Sequence, residues 1–315
     1  MNKERGIYIT ANDKVIEQAI ALLKSIRLHD SDTPICLIPY DDNYQTIAKL
    51  LKDSYQVELY QDLDFIERLS NQLYEIFGKG FFARPNQFRK QACWFGAFDK
   101  FIYIDTDIVV FDKIIETTVY LDKYDFICYD YQHSGGIKNV FTPKVIEDDV
   151  FSENDIQDMF NGGFWGAKKN TISEETLYQT FTECASHPEY FDFSQKTSDQ
   201  PIINYMILKQ VSQRFNIVRR PGGAPGSWAG SKHFQVEDHH LIDPNVNQPL
   251  DYLHWAGIRI QPGCPYWDIW KYYRYLGEDI PDDESLQTPT QKNLWQKLKG
   301  KINNIENLKK FERGN

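Results

Sequence analysis

The sequence predicts an α/β fold, a single large domain built on a mostly parallel sheet with helices on its faces. Three observations lead there. Residues 7–10, 34–40 and 57–60 read as short apolar strands, and each is followed by an amphipathic helical stretch, an alternation that builds parallel sheets. A fourth apolar, β-branched segment, 101–111, follows that unit. The 315 residues are 41% apolar and 15% aromatic, which is enough to bury a sizeable core.

The opening strand ends in Thr10-Ala11-Asn12-Asp13 and leads to a helix with Ile16, Ile20, Leu23 and Ile26 on one stripe. Open α/β sheets bind ligands at the C-terminal ends of their strands, so Thr10, Asn12 and Asp13 are binding candidates. Capping of the helix by Asn12 or Asp13 is the competing reading. The second strand ends in Asp41-Asp42. A helix at 44–52, the strand at 57–60 and a helix at 63–77 follow, the last broken by Gly78-Lys79-Gly80. Residues 86–98 read as a further helix, carrying Arg89 as a candidate phosphate or carboxylate partner and Lys90 as a solvated surface lysine.

The segment 101–111 holds two carboxylates, Asp105 and Asp107, which packing alone would not select. In an extended chain they share a side, about 6–7 Å apart. Their repulsion, about 2–3 kcal/mol at an effective dielectric near 20, adds to the cost of desolvation. A divalent cation relieves both, and oxygen ligands in this spacing suit Mg²⁺ or Mn²⁺, with substrate phosphates completing the shell. A solvated turn or a helix cap is the alternative, because Asp-x-Asp is a short motif.

Downstream, 114–121 reads as a helix, 126–129 as a strand, and 131–152 as a long aromatic-rich connection. Phe160-Asn161-Gly162-Gly163-Phe164-Trp165-Gly166 places paired glycines in an aromatic strand. Such glycines signal either close approach of something to the backbone or a β-bulge. Asn161 offers an amide as donor and acceptor there. Residues 174–187 are helical, and Ser198 is the expected cap of a helix over 202–209, with Asp199 favoured by the helix dipole. The Gly- and Pro-rich stretch 219–232 reads as a flexible loop carrying Trp228. A strand at 250–255 ends in His254-Trp255-Ala256-Gly257, and that histidine matters if it faces the aspartate pair.

The net charge of −10 argues against a general nucleic-acid binder. Five scattered cysteines without a Cys-x-x-Cys pair point to reduced thiols and a cytoplasmic setting. There is no Gly-x-Gly-x-x-Gly and no Gly-Lys-Ser/Thr loop, so dinucleotide-binding and P-loop readings lose their support. No apolar run suits a signal core or a membrane span. The tail at 291–313 carries seven basic residues against Glu306 and Glu312, with Leu294, Leu298, Ile302, Ile305 and Leu308 at helical spacing. It is expected either to lie on an anionic membrane surface, making the chain peripheral at the cytoplasmic face, or to dock on its own domain.

The ordered set Ile104-Asp105-Thr106-Asp107, Phe160-Asn161-Gly162-Gly163, Asp199-Gln200 and His254-Trp255-Ala256-Gly257 resembles glycosyltransferase family 8. These are retaining enzymes of the GT-A (Rossmann-like) fold, among them glycogenin and bacterial lipopolysaccharide glucosyl- and galactosyltransferases. The resemblance runs over about residues 7–267. It implies a mixed, mostly parallel central sheet flanked by helices, and a metal-dependent hexosyltransferase that uses a UDP-sugar donor with retention of configuration. Glucose or galactose is the implied sugar. It further implies Asp105, Asp107 and His254 as ligands of Mn²⁺ (or Mg²⁺), and Thr10, Ala11, Asn12, Asp13 and either Asp41 or Asp42 around the uridine and ribose. Arg89 matches a basic residue ahead of the aspartates, and Asn161, Gly162 and Gly163 lie by the donor sugar. Asp199 and Gln200 match the pair beside the anomeric carbon.

Two departures stand out. Pro201 follows where the family commonly has a second aspartate, and after Gly257 the expected Gly-x-x-Lys pattern is absent, leaving Arg259 to replace the phosphate-binding lysine. The acceptor is expected to be a saccharide, a lipid-linked glycan or a protein. Residues 1–276 are read as the catalytic domain, with a nucleotide-binding half at 1–111 and an acceptor and sugar half at 112–276; residues 277–315 form linker and tail. Two competing functions are a haloacid-dehalogenase-like Mg²⁺-dependent phosphohydrolase, whose nucleophile loop Asp105-Thr106-Asp107 imitates, and a non-catalytic nucleotide-sugar-binding protein.

Overall fold

The structure, a computed structural model, describes residues 3–81, 85–129, 137–193 and 198–286. The expected tail at 291–313 lies outside the described residues, as do 131–136 of the long connection.

In chain order the elements are β1 (Lys3–Ala11), α1 (Ile16–His29), β2 (Ile35–Pro39), α2 (Gln45–Tyr55), β3 (Val57–Leu59), α3 (Leu63–Phe81), β4 (Phe98–Asp105), β5 (Ile108–Val110) and β6 (Phe126–Cys128). They continue with α4 (Lys144–Glu147), α5 (Glu153–Ile156), β7 (Phe164–Lys168), α6 (Glu174–Ser186), α7 (Gln200–Gln210), β8 (Arg214–Asn216), β9 (Gln235–Glu237), β10 (His240–Asp243), β11 (Gln248–Pro249), β12 (Tyr252–His254), α8 (Trp267–Arg274) and α9 (Asp283–Leu286). The main sheet has the order β3-β2-β1-β4-β7-β6-β8. Its first four strands are parallel, β7 runs antiparallel to both its neighbours, and β8 is parallel to β6. The mixed, mostly parallel sheet expected from the alternation is therefore the observed one.

Side-chain alternation divides the core across this sheet. Tyr8, Phe101 and Tyr103 point to one side, where Trp165 stacks on Trp94 and Tyr103 at centroid distances of 4.8 and 5.3 Å. Ile7, Ile9, Ile102 and Ile104 point to the other, against Leu22, Leu23 and Ile26 of α1. A third cluster, with Val109, Leu253, Trp255, Trp267, Trp270 and Tyr273, joins β5 and β12 to α8. Among the described residues no helix is long and apolar enough to cross a membrane.

Several local expectations change. The apolar run 101–111 is not one strand. β4 ends at Asp105, Thr106-Asp107 form a turn, and β5 pairs with β12 in a separate two-stranded sheet. Period-two reading missed the turn because the residues on both sides of it are equally buried. The expected helices at 86–98 and 114–121 are 3-10 segments, Pro85–Phe95 and Ile114–Asp122. Helix α7 starts at Gln200 with Asp199, not Ser198, at its N-cap, and the Asp199 carboxylate makes no capping bond. The stretch 219–232 is anchored: the Gly226 N–H donates to Asp243 Oδ2 at 2.8 Å, and Ala229 packs in the third cluster.

Candidate active site

The parallel register puts Thr10 beside Asp105, so the C-terminal ends of β1 and β4 open on the same space. The turn after β4 then brings Asp107 under β12. The Trp255 N–H donates to the Asp107 carbonyl at 2.9 Å, and β12 pairs His254 with Ile108. Asp105, Asp107 and His254 thereby converge, with one ligand atom from each lying within 4.8 Å of the others. His254 Nε2 is 3.1 Å from Asp107 Oδ1, and Tyr103 Oη donates to Asp105 Oδ1 at 2.6 Å.

Two carboxylates and an imidazole at this spacing fit a first-row divalent ion such as Mn²⁺; Mg²⁺ prefers oxygen alone. The protonation equilibria show the strain of holding these charges together. Burial pushes the Asp105 carboxyl up, Lys90 opposes that, and the charge of Asp107 adds to it, so Asp105 ends above the usual carboxylate range. Burial also acts to raise Asp107, but the charge and hydrogen bond of His254, a backbone hydrogen bond and Lys90 together hold Asp107 low. Burial depresses His254, and the Asp107 charge and hydrogen bond more than reverse this.

The paired glycines precede β7 and do not form a bulge within it. Asp105 N–H donates to the Gly163 carbonyl at 2.8 Å. A β-carbon on Gly163 would stand 2.4 Å from His254 Cε1 and 2.9 Å from Asp105 Oδ2, so the close-approach reading of this motif is the observed one. Asn161 Oδ1 accepts from Gly163 N–H at 2.9 Å, and Gln200 Oε1 accepts from Gly162 N–H at 3.2 Å. Beneath them the fully buried Asn204 clamps Phe160, accepting from its N–H at 2.9 Å and donating to its carbonyl at 2.8 Å.

Lys90 is the largest departure from the sequence reading. It is 7% exposed, not solvated, and its Nζ lies 2.7 Å from Asp199 Oδ2 and 3.9 Å from Asp105 Oδ1. Burial alone would depress its pKa, but Asp105 and Asp199 together raise it, so the ammonium stays charged. Arg89 turns the other way and pairs with Asp42 Oδ1 at 2.9 Å.

A cavity of about 540 Å³ is lined by Thr10, Ala11, Asn12 and Asp41 as well as by Lys90, Asp105, Thr106, Asp107 and Asp199. Asn12 caps the first turn and also lines the cavity. Its Oδ1 accepts from Lys14 N–H at 3.1 Å, while its Nδ2 donates to Asp41 Oδ2 at 2.8 Å, fixing the acid at the cavity wall. Asp13 leaves the cavity and accepts from Ile47 N–H of α2 at 2.8 Å.

A family model described as "Mannosyltransferase putative" matches residues 4–196, more than half of the chain. This chain belongs to that family. Among solved structures, the bifunctional glycosyltransferase WbbM is 15% identical with a TM-score of 0.59 over 94% of this chain, which spans about half of the WbbM chain (52%). The galactosyltransferase LgtC, solved with donor and acceptor sugar analogues, is 11% identical with a TM-score of 0.56, covering 85% of this chain and 95% of its own. Mouse xyloside xylosyltransferase 1 is 13% identical with a TM-score of 0.51, covering 68% and 85%. No curated protein matches.

The mannosyltransferase-family chain thus has the GT-A glycosyltransferase fold, with an acidic cluster able to hold a metal ion. This sets aside the phosphohydrolase reading, which needs a different fold. The family description names mannose transfer, whereas the sequence resemblance implies glucose or galactose. Of the residues expected in the site, Gly257 and Arg259 are exposed and do not line the cavity, Arg89 and Asp13 face other partners, and Asn161, Gly162, Gly163, Gln200 and His254 lie outside the cavity lining, joined to it through their contacts with Asp105, Asp107 and one another. Lys90 and Asn204 were missed. An adjacent cation, Arg89, drew the assignment from Lys90, and Asn204 lies in an otherwise apolar helix, where a lone buried amide is the one available signal.

Proposed function

We propose that this chain transfers a hexosyl group from a nucleoside diphosphate sugar to a glycan, lipid-linked or protein acceptor, in the presence of Mn²⁺ and with retention of configuration. UDP is the expected nucleotide. The observation that supports this reading best is the cluster of Asp105, Asp107 and His254, whose two aspartates line one cavity with Thr10, Asn12 and Asp41. The nucleoside would lie along Thr10 to Asn12 and Asp41.

Asp105, Asp107 and His254 would hold the cation, which when bound stabilises negative charge on the diphosphate leaving group. Lys90 supplies a fixed positive charge beside the same carboxylates, where preorganised electrostatics contributes most. Its ion pair orients Asp199 toward the sugar, and Gln200, tied to Gly162, flanks the reacting face. In the proposed step the anomeric C–O bond breaks with its electron pair on the phosphate oxygen. The acceptor oxygen bonds to the anomeric carbon from the same face, and the acceptor hydroxyl proton passes to that phosphate oxygen. Asn161 helps select the donor by its place beside Gly162 and Gly163.

The test is release of nucleoside diphosphate from UDP-glucose, UDP-galactose and GDP-mannose, with and without Mn²⁺, with NMR of the first product anomer. The family match makes GDP-mannose an essential arm. Metal-dependent release with an α-product from an α-linked donor is expected. Release that ignores Mn²⁺, or an inverted product, overturns the corresponding part of the reading.

A further inference from the structure

We propose that Trp228 is the stacking platform for a pyranose ring of the acceptor, an inference that rests on the glycosyl-transfer reading above. Trp228 is 37% exposed, although the residues around it in sequence, Ala224 and Ala229, are fully buried. The other large apolar side chains exposed among the described residues, Leu28, Val119, Val236 and Ile280, are aliphatic.

Its position is fixed by the same segment that carries the candidate metal histidine. Trp228 forms a parallel bridge with His254, flanked by bonds from His254 N–H to the Ser227 carbonyl at 2.7 Å and from Ala229 N–H to the His254 carbonyl at 2.9 Å. Paired residues in such a bridge stand about 5 Å apart and present their side chains to the same side. The indole ring is also locked. Its Nε1–H donates to the Ala256 carbonyl at 3.1 Å, and a β-carbon on Gly230 would meet the six-membered ring at 2.3 Å, so the bare glycine backbone supports it.

The indole has spent its one hydrogen-bond donor on the protein and offers a ligand only a ring. That ring carries negative charge on its face, which attracts the weakly positive C–H groups on the apolar side of a hexopyranose. A rigid aromatic surface costs little entropy when a ligand is ordered on it. An acceptor hydroxyl must come within about 3–3.5 Å of the donor's anomeric carbon. A surface fastened to His254 is therefore placed to hold the acceptor sugar while the metal and diphosphate hold the donor.

The experiment uses the full chain and three variants, Trp228→Phe, Trp228→Leu and Trp228→Ala, with p-nitrophenyl α-mannoside, β-glucoside and β-galactoside as acceptor probes. The expected result is a tenfold or larger rise in acceptor KM for the Leu and Ala variants, a smaller rise for Phe, and donor KM and acceptor-free donor hydrolysis within twofold of wild type. Leu keeps apolar area but loses the π-face, so an unchanged acceptor KM in Trp228→Leu overturns the stacking role, as does an equal rise in donor KM. Saturation-transfer NMR of the same glycosides reads binding without turnover. Saturation of pyranose ring protons in wild type and Trp228→Phe, lost in Trp228→Leu, supports the platform, and equal saturation in all overturns it. If wild type turns over none of the donors, the transfer reading fails, while the NMR still decides whether Trp228 binds sugar.

Discussion

Gly163 and His254 touch so closely that position 163 has no room for a β-carbon: it would lie 2.4 Å from the imidazole Cε1. Gly163 also receives the Asp105 N–H, so one residue's backbone sets the positions of two of the three candidate ligands. Gly163→Ala is expected to push His254 and Asp105 out of register. The affinity for Mn²⁺, read by calorimetry, should fall roughly 10–100-fold, the range seen when ligand orientation is disturbed. Wild-type affinity in this variant would show that the site tolerates the displacement.

The Lys90–Asp199 pair gives a stability prediction. Lys90→Met leaves Asp199 buried without its partner, and removing one member of such a pair costs about 3–5 kcal/mol. Replacing both, as Lys90→Met with Asp199→Leu, removes the stranded charge, and urea denaturation should show the double variant recovering much of the loss. Equal destabilisation in the single and double variants would mean that Lys90 acts chiefly through Asp105.

Asn204 bonds Phe160 in both directions, so Asn204→Leu strands an N–H and a carbonyl in the core. Each group left unpaired costs about 1–3 kcal/mol. The melting temperature should drop clearly, and kcat should fall with it because the segment reaching Gly163 loosens. A variant that melts like wild type would show that Phe160 finds other partners.

The sheet was legible in the sequence because strands and amphipathic helices alternate from Ile7 onward, and of the paired glycines Gly163 marks a close approach that Asp105 and His254 supply. Asp105 and Asp107 were legible as chemistry but not as geometry. Ile108 to Val110 are as buried as the strand before the turn, so the apolar pattern resumes directly after the aspartates while the chain changes sheets. Lys90 was illegible for a different reason. Its neighbourhood folds as 3-10 turns, whose threefold period places side chains differently from the α-helix that the pattern suggested. Asp199 followed from this, since its ion pair with Lys90 replaces the cap that sequence position alone implied.

The basic stretch at 291–313 supports a proposal of peripheral attachment to anionic membranes. Full-length chain should float with anionic liposomes at low salt and less so at high salt, as screening shortens the attraction. A chain ending at Pro289 should not float. Equal flotation of the two would assign the tail no membrane role.

The central claim is that Asp105, Asp107 and His254 bind one divalent cation together with the donor's diphosphate. Calorimetry of UDP and GDP binding to wild type and Asp107→Asn, each with and without Mn²⁺, tests it most directly. The account predicts that Mn²⁺ strengthens nucleotide binding to wild type by tenfold or more and has no such effect on Asp107→Asn, whose thermal melting stays close to wild type. The same Mn²⁺-dependent gain in both proteins would contradict it.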